Sequence, residues 1–317
     1  MRKGDRILTA SFFLSGILAV CAGTAQAAFV YQPEIYAQNL LQTGSAALSS
    51  NERLAAWLSA AGIPEDAAVE KLQTDVNPEI AGILDVGVHI EQGDSPFTWS
   101  SAFTQYVTQT SDNDFYLTHD YTGAGSVNGS VFIDSRCDFF PQDAQMILHG
   151  HNMKGGAVFG QLNQLRSLDF LRQHPLIRFE TLAGADYYVP YAVADVNVDR
   201  EADNYFQEIR FRFDPDSFAQ YTGYLREHSY YTIPVDVKFG DRLLLLSTCS
   251  YVYSNSRFAV CARKLRDGET VQQMQSLAET AENSGIGLDD TAYTYQGGGD
   301  YENLVEDAQP SSEQGGQ

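Results

Sequence analysis

The segment that decides the fold is residues 241–249, with the sequence DRLLLLSTC. Its four consecutive leucines cannot form a one-sided amphipathic pattern, so this short apolar run predicts a strand that is buried on both faces. The strand ends at Ser247, Thr248 and Cys249, three small residues with polar side chains. A thiol at the end of a rigid buried strand is a suitable nucleophile, although most single cysteines are buried and unreactive.

Two further segments carry groups that would activate such a thiol. Residues 145–154, QMILHGHNMK, form another short apolar run that ends at Gly150 and His151. Arg257 follows Cys249 after a short polar turn and opens a second apolar strand. An imidazole can hold a thiolate and later return a proton, and a guanidinium can stabilise an oxyanion. The sequence therefore predicts a catalytic group of His, Cys and Arg at neighbouring strand ends.

These segments resemble the sortase family, and specifically its class B. The matching motifs are Leu-Ser-Thr-Cys at residues 246–249, Gly-His-Asn-Met-Lys at residues 150–154 and Arg-Phe at residues 257–258. Further matches follow the family order at residues 77–82, 112–117 and 129–134. Several ordered motifs with plausible spacing make the resemblance specific over roughly residues 75–265. The chain departs from the family's usual Thr, Trp and His at three positions, which are Leu245, Ile83 and Cys261.

The resemblance implies a fold that is mainly β with helices: an eight-stranded sortase-type β-barrel with an N-terminal helical extension and a helix in the strand connection before the catalytic cysteine. It implies a cysteine transpeptidase that cleaves a C-terminal sorting motif of secreted proteins and transfers the acyl group to an amine of a peptidoglycan precursor or a pilin. Cys249 would be the nucleophile, His151 would protonate the leaving amine and Arg257 would stabilise the oxyanion. Exchange of one amide for another requires no cofactor.

Four more residues are interpreted as substrate contacts. Asn113 and Leu117 match the family's Asp-Asn-x-x-Tyr-Leu segment, which implies a substrate-contacting loop. Ser247 lies two residues before Cys249 and therefore on the same strand face, where it is placed to hydrogen-bond a substrate backbone. Thr248, the next residue in the strand, is interpreted as a further substrate contact. Cys137 and Cys261 are expected to be buried and inert.

The net charge of the chain limits the classes of molecule that it is expected to bind. The chain has 41 Asp and Glu against 20 Lys and Arg, a net charge of −21. This charge argues against nucleic acid or anionic lipid as a main partner, since both need a basic footprint. His149 and His151 lie two residues apart, but no third ligand is patterned nearby, so no metal site is predicted.

Changes in composition and in the pattern of apolar residues divide the chain into four regions. They are an N-terminal signal or membrane anchor (1–31), a helical extension (32–75), the β-barrel catalytic domain (76–268), and a C-terminal helix with an acidic tail that is expected to be disordered (269–317). Basic residues precede an uncharged run at the N-terminus, which orients that end towards the cytoplasm. Residues 25–28 resemble a signal-peptidase site, so release is one outcome. The resemblance favours the other, a single-pass anchor with an extracellular catalytic domain on a Gram-positive cell.

Within the catalytic domain, short apolar runs predict eight strands. They are residues 83–88, 131–133, 145–148, 187–193, 208–213, 232–237, 243–247 and 258–262. Apolar residues at helical spacing predict a helix after the His motif and another over residues 214–227.

Two alternatives from other classes stay open. One is a hydrolytic cysteine endopeptidase, which would use the same Cys and His with water as acceptor. The other is a non-catalytic surface β-barrel module with a buried thiol, in which Cys249 would not react with thiol reagents.

Overall fold

The computed structural model describes residues 68–91, 99–138, 143–252 and 254–286. The strands are β1 (Ile80–Ile90), β2 (Trp99–Thr108), β3 (Val131–Ile133), β4 (Gln145–His149), β5 (Leu176–Thr181), β6 (Gly184–Asn197), β7 (Tyr231–Thr232), β8 (Leu243–Ser250), β9 (Ser256–Lys264) and β10 (Glu282–Asn283). The α-helices are α1 (Ala68–Asp75), α2 (Leu168–Gln173), α3 (Pro215–Glu227) and α4 (Val271–Ala278). The 3₁₀ helices are Phe115–Leu117 and Phe159–Arg166.

Eight strands close into a barrel in the order β1-β2-β3-β4-β8-β9-β6-β5. The β2–β3 and β4–β8 pairs are parallel, and the other pairs of the barrel are antiparallel. Strands β7 and β10 form a separate two-stranded sheet. Closure pairs the strand edges with each other, which removes the free edges that an open sheet presents. The predicted eight-stranded barrel is confirmed.

Two of the predicted strands are wrong, and two strands of the barrel were not predicted. Residues 208–213 alternate polar and apolar side chains but lie in the irregular connection between β6 and α3, and residues 232–237 contribute only the last residue of β7. The barrel instead uses β2, whose sequence mixes polar and apolar residues without a clean period, and β5, whose alternation is limited to residues 177–180. A period-2 pattern marks a strand only where a neighbouring strand accepts its backbone hydrogen bonds.

The strand that decides the fold lies inside the barrel wall between β4 and β9. Its leucines, residues 243–246, are at most 2% exposed, which confirms a strand buried on both faces. Burying an apolar side chain of this size contributes roughly 1.5–3 kcal/mol. Residues 248 and 249 continue the same strand. The thiol is therefore held in place by the buried leucine run that precedes it.

Both predicted helices occur. The one after the His motif begins as a 3₁₀ helix, and its buried residues Phe159, Leu162 and Leu165 repeat every three positions, the period of that helix. Helix α3 begins at Pro215 with a capping box between Asp214 and Ser217, which satisfies backbone N–H groups of the first turn. It lies in the connection before β8, where the class B resemblance implies a helix.

The ends of the chain are described only in part. The predicted signal or anchor (residues 1–31) and most of the helical extension lie outside the described residues, as does the tail from residue 287 onwards. Helix α1 ends the extension, and α4 falls where the C-terminal helix is predicted. No helix within the described ranges is long and apolar enough to cross a bilayer.

Candidate active site

Two neighbouring strands, β8 and β9, and the segment that follows β4 carry the predicted catalytic residues at one end of the barrel. In the β8–β9 pair Cys249 lies directly opposite Arg257. In the parallel β4–β8 pair His149 lies opposite Ser247. His151 lies two residues beyond His149, in the segment that leaves β4 beside the end of β8 that carries Cys249. The thiol is therefore in the middle strand, with the imidazole on one side and the guanidinium on the other.

Side-chain hydrogen bonds fix the segment after β4 to the end of β8. The Thr248 hydroxyl donates to the Gly150 carbonyl at 2.7 Å. The Asn152 amide donates to the Cys249 carbonyl at 2.8 Å and accepts from the Asn163 amide at 2.7 Å. Asn152 is 2% exposed, so these bonds are made in a dry environment where losing one is costly. Gly150 and Asn152, the residues before and after His151, are thus both bonded to the end of β8. These bonds fix the position of the His151 backbone along that strand.

One nitrogen of His151 has a defined partner. Nε2 lies 2.9 Å from the Leu117 carbonyl oxygen. A carbonyl oxygen only accepts hydrogen bonds, so Nε2 carries the proton. In the neutral ring Nδ1 is then the nitrogen with a lone pair, and it is the atom that would take a proton from the thiol.

Arg257 faces a carboxylate that the sequence analysis did not single out. Its Nε is 3.9 Å from Oε1 of Glu208, and the Ser247 hydroxyl donates to Oε2 of the same carboxylate at 2.8 Å. Ser247, Cys249 and Arg257 share one face of the sheet, because residues two apart in a strand and residues directly opposite each other point the same way. Glu208 therefore lies on the face that carries the thiol.

The three described cysteines are free thiols, and they differ in access. Cys249 is partly exposed, whereas Cys137 and Cys261 are buried, as predicted. Burial raises the pKa of both buried thiols, and a protonated, inaccessible thiol does not act as a nucleophile. Cys249 is thus the thiol of the described residues that a substrate can reach.

The predicted substrate-contacting residues have partners inside the protein. The hydroxyls of Ser247 and Thr248 are already committed as donors, and both residues are 2% exposed. Oδ1 of Asn113 accepts from the Ser135 backbone N–H at 2.7 Å. Leu117 supplies the carbonyl that orients His151. Ser247, Thr248 and Leu117 thus bond to groups around the site, and direct contact of the four residues with substrate stays a prediction.

His149 has a carboxylate partner rather than a second imidazole. Its Nε2 is 3.1 Å from Oδ2 of Asp134, whose side chain is fully buried and also pairs with Arg136 at 2.7 Å. Burial opposes ionisation of Asp134, but the hydrogen bonds from Arg136 and His149 outweigh it and hold the pKa of this carboxyl below its ordinary value. The pair fastens β4 to the turn after β3.

The Asp134 pairing predicts an acid-sensitive contribution to stability. The folded-state pKa is lower than the unfolded value of about 3.9, so the stabilisation is present above about pH 5 and is lost as the pH falls. We expect the unfolding free energy of Asp134→Asn to depend less steeply on pH between about 5 and 2 than that of the wild type. Urea unfolding at several pH values measures this slope, with the exposed-site variant Asp203→Asn as the charge-matched control. Identical slopes for Asp134→Asn and wild type would contradict the assignment.

The opposite face of the same strand ends covers a buried ion pair. Arg166 pairs with Asp195, with Nη2 to Oδ1 at 2.8 Å, and the two side chains are 5% and 4% exposed. The guanidinium carbon lies 4.0 Å from the ring centroid of Phe258, and Tyr230 donates its hydroxyl proton to Asp195. Phe258 is next to Arg257 in β9, so the two side chains point to opposite faces of the sheet. The cluster therefore packs against the face opposite to that of Arg257.

Both the sequence and the fold are similar to those of known proteins. No family model matches the chain. It is similar to sortase B of Listeria monocytogenes, with 35% identity over 144 residues, which are 45% of this chain and 56% of that protein. It is similar to sortase B of Staphylococcus aureus, with 27% identity over 163 residues, which are 50% of this chain and 64% of that protein. The matches therefore span less than two thirds of these curated relatives.

A solved structure agrees with the sequence relatives. The crystal structure of a Bacillus anthracis protein described as similar to sortase B superimposes with a TM-score of 0.50 at 28% identity, over 62% of this chain and 83% of that one. This match shows that the fold also resembles that of a sortase-like protein. The motifs and the two sequence relatives support the same resemblance independently. The sequence relatives and the solved structure thus confirm the predicted resemblance to class B sortases.

Proposed function

We propose that this protein is a cysteine transpeptidase. The observation that supports the proposal is the strand register: Cys249 lies opposite Arg257 in the β8–β9 pair, and His151 follows two residues after His149, which lies opposite Ser247 in the β4–β8 pair. A partly exposed thiol flanked by an imidazole and a guanidinium has the groups that acyl transfer requires: a nucleophile, a proton carrier and an oxyanion-stabilising cation. The names of the two sortase B relatives support the same chemistry.

In the first half-reaction the Cys249 thiolate attacks a backbone carbonyl carbon of the donor peptide. A C–S bond forms, the negative charge moves to the carbonyl oxygen, and Arg257 stabilises it. The tetrahedral intermediate collapses by breaking the C–N bond, and His151 gives its proton to the departing amine. The acyl group then remains on Cys249 as a thioester.

In the second half-reaction a primary amine replaces the first one. Its nitrogen attacks the thioester carbon, His151 accepts the proton that the nitrogen loses, and Cys249 leaves as thiolate. One amide bond is broken and one is formed, so the reaction needs no external energy source. Water as acceptor would give a carboxylic acid instead, which is the endopeptidase alternative.

The substrates of the proposal come from the class B resemblance. The donor is a secreted protein with a C-terminal sorting motif, and the acceptor is an amine of a peptidoglycan precursor or of a pilin. Asn113, Leu117, Ser247 and Thr248 are the proposed substrate-contacting residues. Attachment to the membrane through residues 1–31, with the catalytic domain outside the cell, belongs to the same proposal.

The molecule that accepts the acyl group, an amine or water, distinguishes a transpeptidase from a protease. We expect purified full-length protein to convert sorting-motif peptides to an amide product in proportion to added primary amine, at the expense of hydrolysed acid. Product masses measured with and without amine decide between them. Acid product alone at high amine concentration would establish a protease, and a Cys249 thiol that resists a methanethiosulfonate reagent would establish a non-catalytic module.

A glycine in the loop that orients His151 offers a sharper prediction. Gly129 has φ +61°, and an added Cβ would lie 2.6 Å from the Tyr116 carbonyl oxygen and 2.8 Å from that of Leu117. Gly129→Ala must displace the carbonyl that His151 binds, so we expect kcat for amide exchange to fall roughly 10- to 100-fold. Steady-state kinetics measures the loss.

The same loop supplies the control. Gly123 has φ +83°, but an added Cβ would meet nothing within 4 Å. Gly123→Ala should therefore cost about 1 kcal/mol of stability from backbone strain and leave kcat within about twofold. Equal kcat values for Gly129→Ala and Gly123→Ala would show that the Leu117 carbonyl does not orient the imidazole.

A further inference from the structure

We propose that Glu208 is a positioning residue that holds the Arg257 guanidinium in its oxyanion-stabilising position. The inference rests on the proposed function and adds a residue to it that no motif marks. Glu208 lies in the connection between β6 and α3, away in sequence from the strands that carry the catalytic residues.

Glu208 is itself held in place. The residue is 8% exposed. Its backbone carbonyl accepts hydrogen bonds from Gln145 Nε2 at 3.4 Å and from the Tyr221 hydroxyl at 3.2 Å. Gln145 begins β4 and Tyr221 lies in α3, so two separate elements clamp the peptide unit. A carboxylate on a clamped backbone has little freedom to follow the motions of a neighbouring side chain.

The two carboxylate oxygens have different partners. Oε2 accepts the Ser247 hydroxyl proton at 2.8 Å, which orients the carboxylate plane. Oε1 faces Arg257 Nε at 3.9 Å. The carboxylate therefore bridges β8 and β9 on the face of the thiol, with one oxygen on each strand.

Arg257 depends on such a partner. Its side chain is 35% exposed, and an arginine side chain carries about 2 kcal/mol of rotamer entropy when it is unrestrained. Besides facing the carboxylate, Arg257 donates a 3.4 Å hydrogen bond from Nη1 to the Ser256 carbonyl. Nη2 has no hydrogen-bond partner within the described ranges. Glu208 thus approaches the Nε edge and leaves Nη2 to face a substrate oxygen.

The test compares Glu208→Gln with Glu201→Gln. The first change keeps the shape and an acceptor for Ser247 but removes the charge that faces Arg257. Glu201 is an exposed residue of the same connection, so its variant controls for loss of one negative charge. We expect Glu208→Gln to lower kcat for amide exchange roughly tenfold or more, with KM within about twofold, a smaller loss than the 10²–10³ of removing an oxyanion donor. Glu201→Gln should match wild type.

A double-mutant cycle separates positioning from general support of the fold. In an Arg257→Ala background Glu208→Gln should cause no further loss of kcat/KM, because the group that it positions is absent. Circular dichroism checks folding of each variant. Should Glu208→Gln fail to fold, Glu208→Asp keeps the charge at a shorter reach, and we expect it to lose about three- to tenfold with the same dependence on Arg257.

The outcomes are distinct. Equal kcat for Glu208→Gln and Glu201→Gln, or an undiminished loss from Glu208→Gln in the Arg257→Ala background, would overturn the positioning role while leaving the transpeptidase intact. A wild-type protein that forms no acyl-enzyme with any peptide would overturn the proposed function and this inference with it.

Discussion

Replacing Cys249 with Ala is expected to abolish thioester formation and to lower kcat for amide exchange by about 10⁴-fold or more, as loss of a covalent nucleophile does in other acyl-transfer enzymes. The physical reason is that the remaining imidazole and guanidinium have no covalent partner: neither can hold the acyl group between loss of the first amine and arrival of the second. Single-turnover kinetics with a fluorogenic sorting-motif peptide measures the effect.

The chain contains a matched control for this change. Cys261→Ala removes a thiol that is 1% exposed and lies between Val260 and Ala262 in the core, so kcat should stay within about twofold. A Cys249→Ala protein that retained amide exchange would contradict the nucleophile assignment. So would a Cys261→Ala protein that lost exchange while remaining folded.

Removing one partner of the Arg166–Asp195 pair is expected to have the largest effect on stability. Both side chains are at least 95% buried, so Arg166→Met leaves a carboxylate without its cation in a low-dielectric environment. Breaking such a pair costs about 3–5 kcal/mol of unfolding free energy. Urea denaturation, followed by tryptophan fluorescence and far-UV circular dichroism, gives the difference from wild type.

An exposed ion pair in the same sheet provides the comparison. Lys264 and Asp186 are 2.7 Å apart, but their side chains are 33% and 39% exposed, so Lys264→Met should cost less than about 1 kcal/mol. The double variant Arg166→Met/Asp195→Leu should recover part of the stability lost in Arg166→Met, since it removes the stranded charge. A cost below about 1 kcal/mol for Arg166→Met would show that the pair is not desolvated in solution.

The positions of the proposed catalytic residues were predictable because their sequence signals are local. The leucine run at residues 243–246 marks a buried strand, and the residues that follow it in sequence necessarily lie at its end. The Gly-His motif also follows a short apolar run. Chain continuity therefore placed His151, Cys249 and Arg257 at strand ends before any contact was known, and the family order of the motifs did the rest.

Glu208 shows where local signals stop. It stands in a segment with strand-like alternation that forms no strand, and its importance depends on Ser247 and Arg257, 39 and 49 residues away in sequence. The Arg166–Asp195 pair is similar, since nothing in a single sequence indicates that two opposite charges 29 residues apart meet in the core. Pairings of this kind are set by the closure of the barrel, which no segment encodes alone.

Mass spectrometry of the intact protein would show whether Cys249 carries the acyl group. Full-length protein would be mixed with a panel of sorting-motif peptides, quenched in acid and digested to locate any adduct, with and without a primary amine. We predict a mass increase equal to the N-terminal part of one peptide on Cys249, cleared by the amine with formation of the matching amide. Absence of any acyl mass with every peptide, in protein whose Cys249 still reacts with a methanethiosulfonate reagent, would contradict the account.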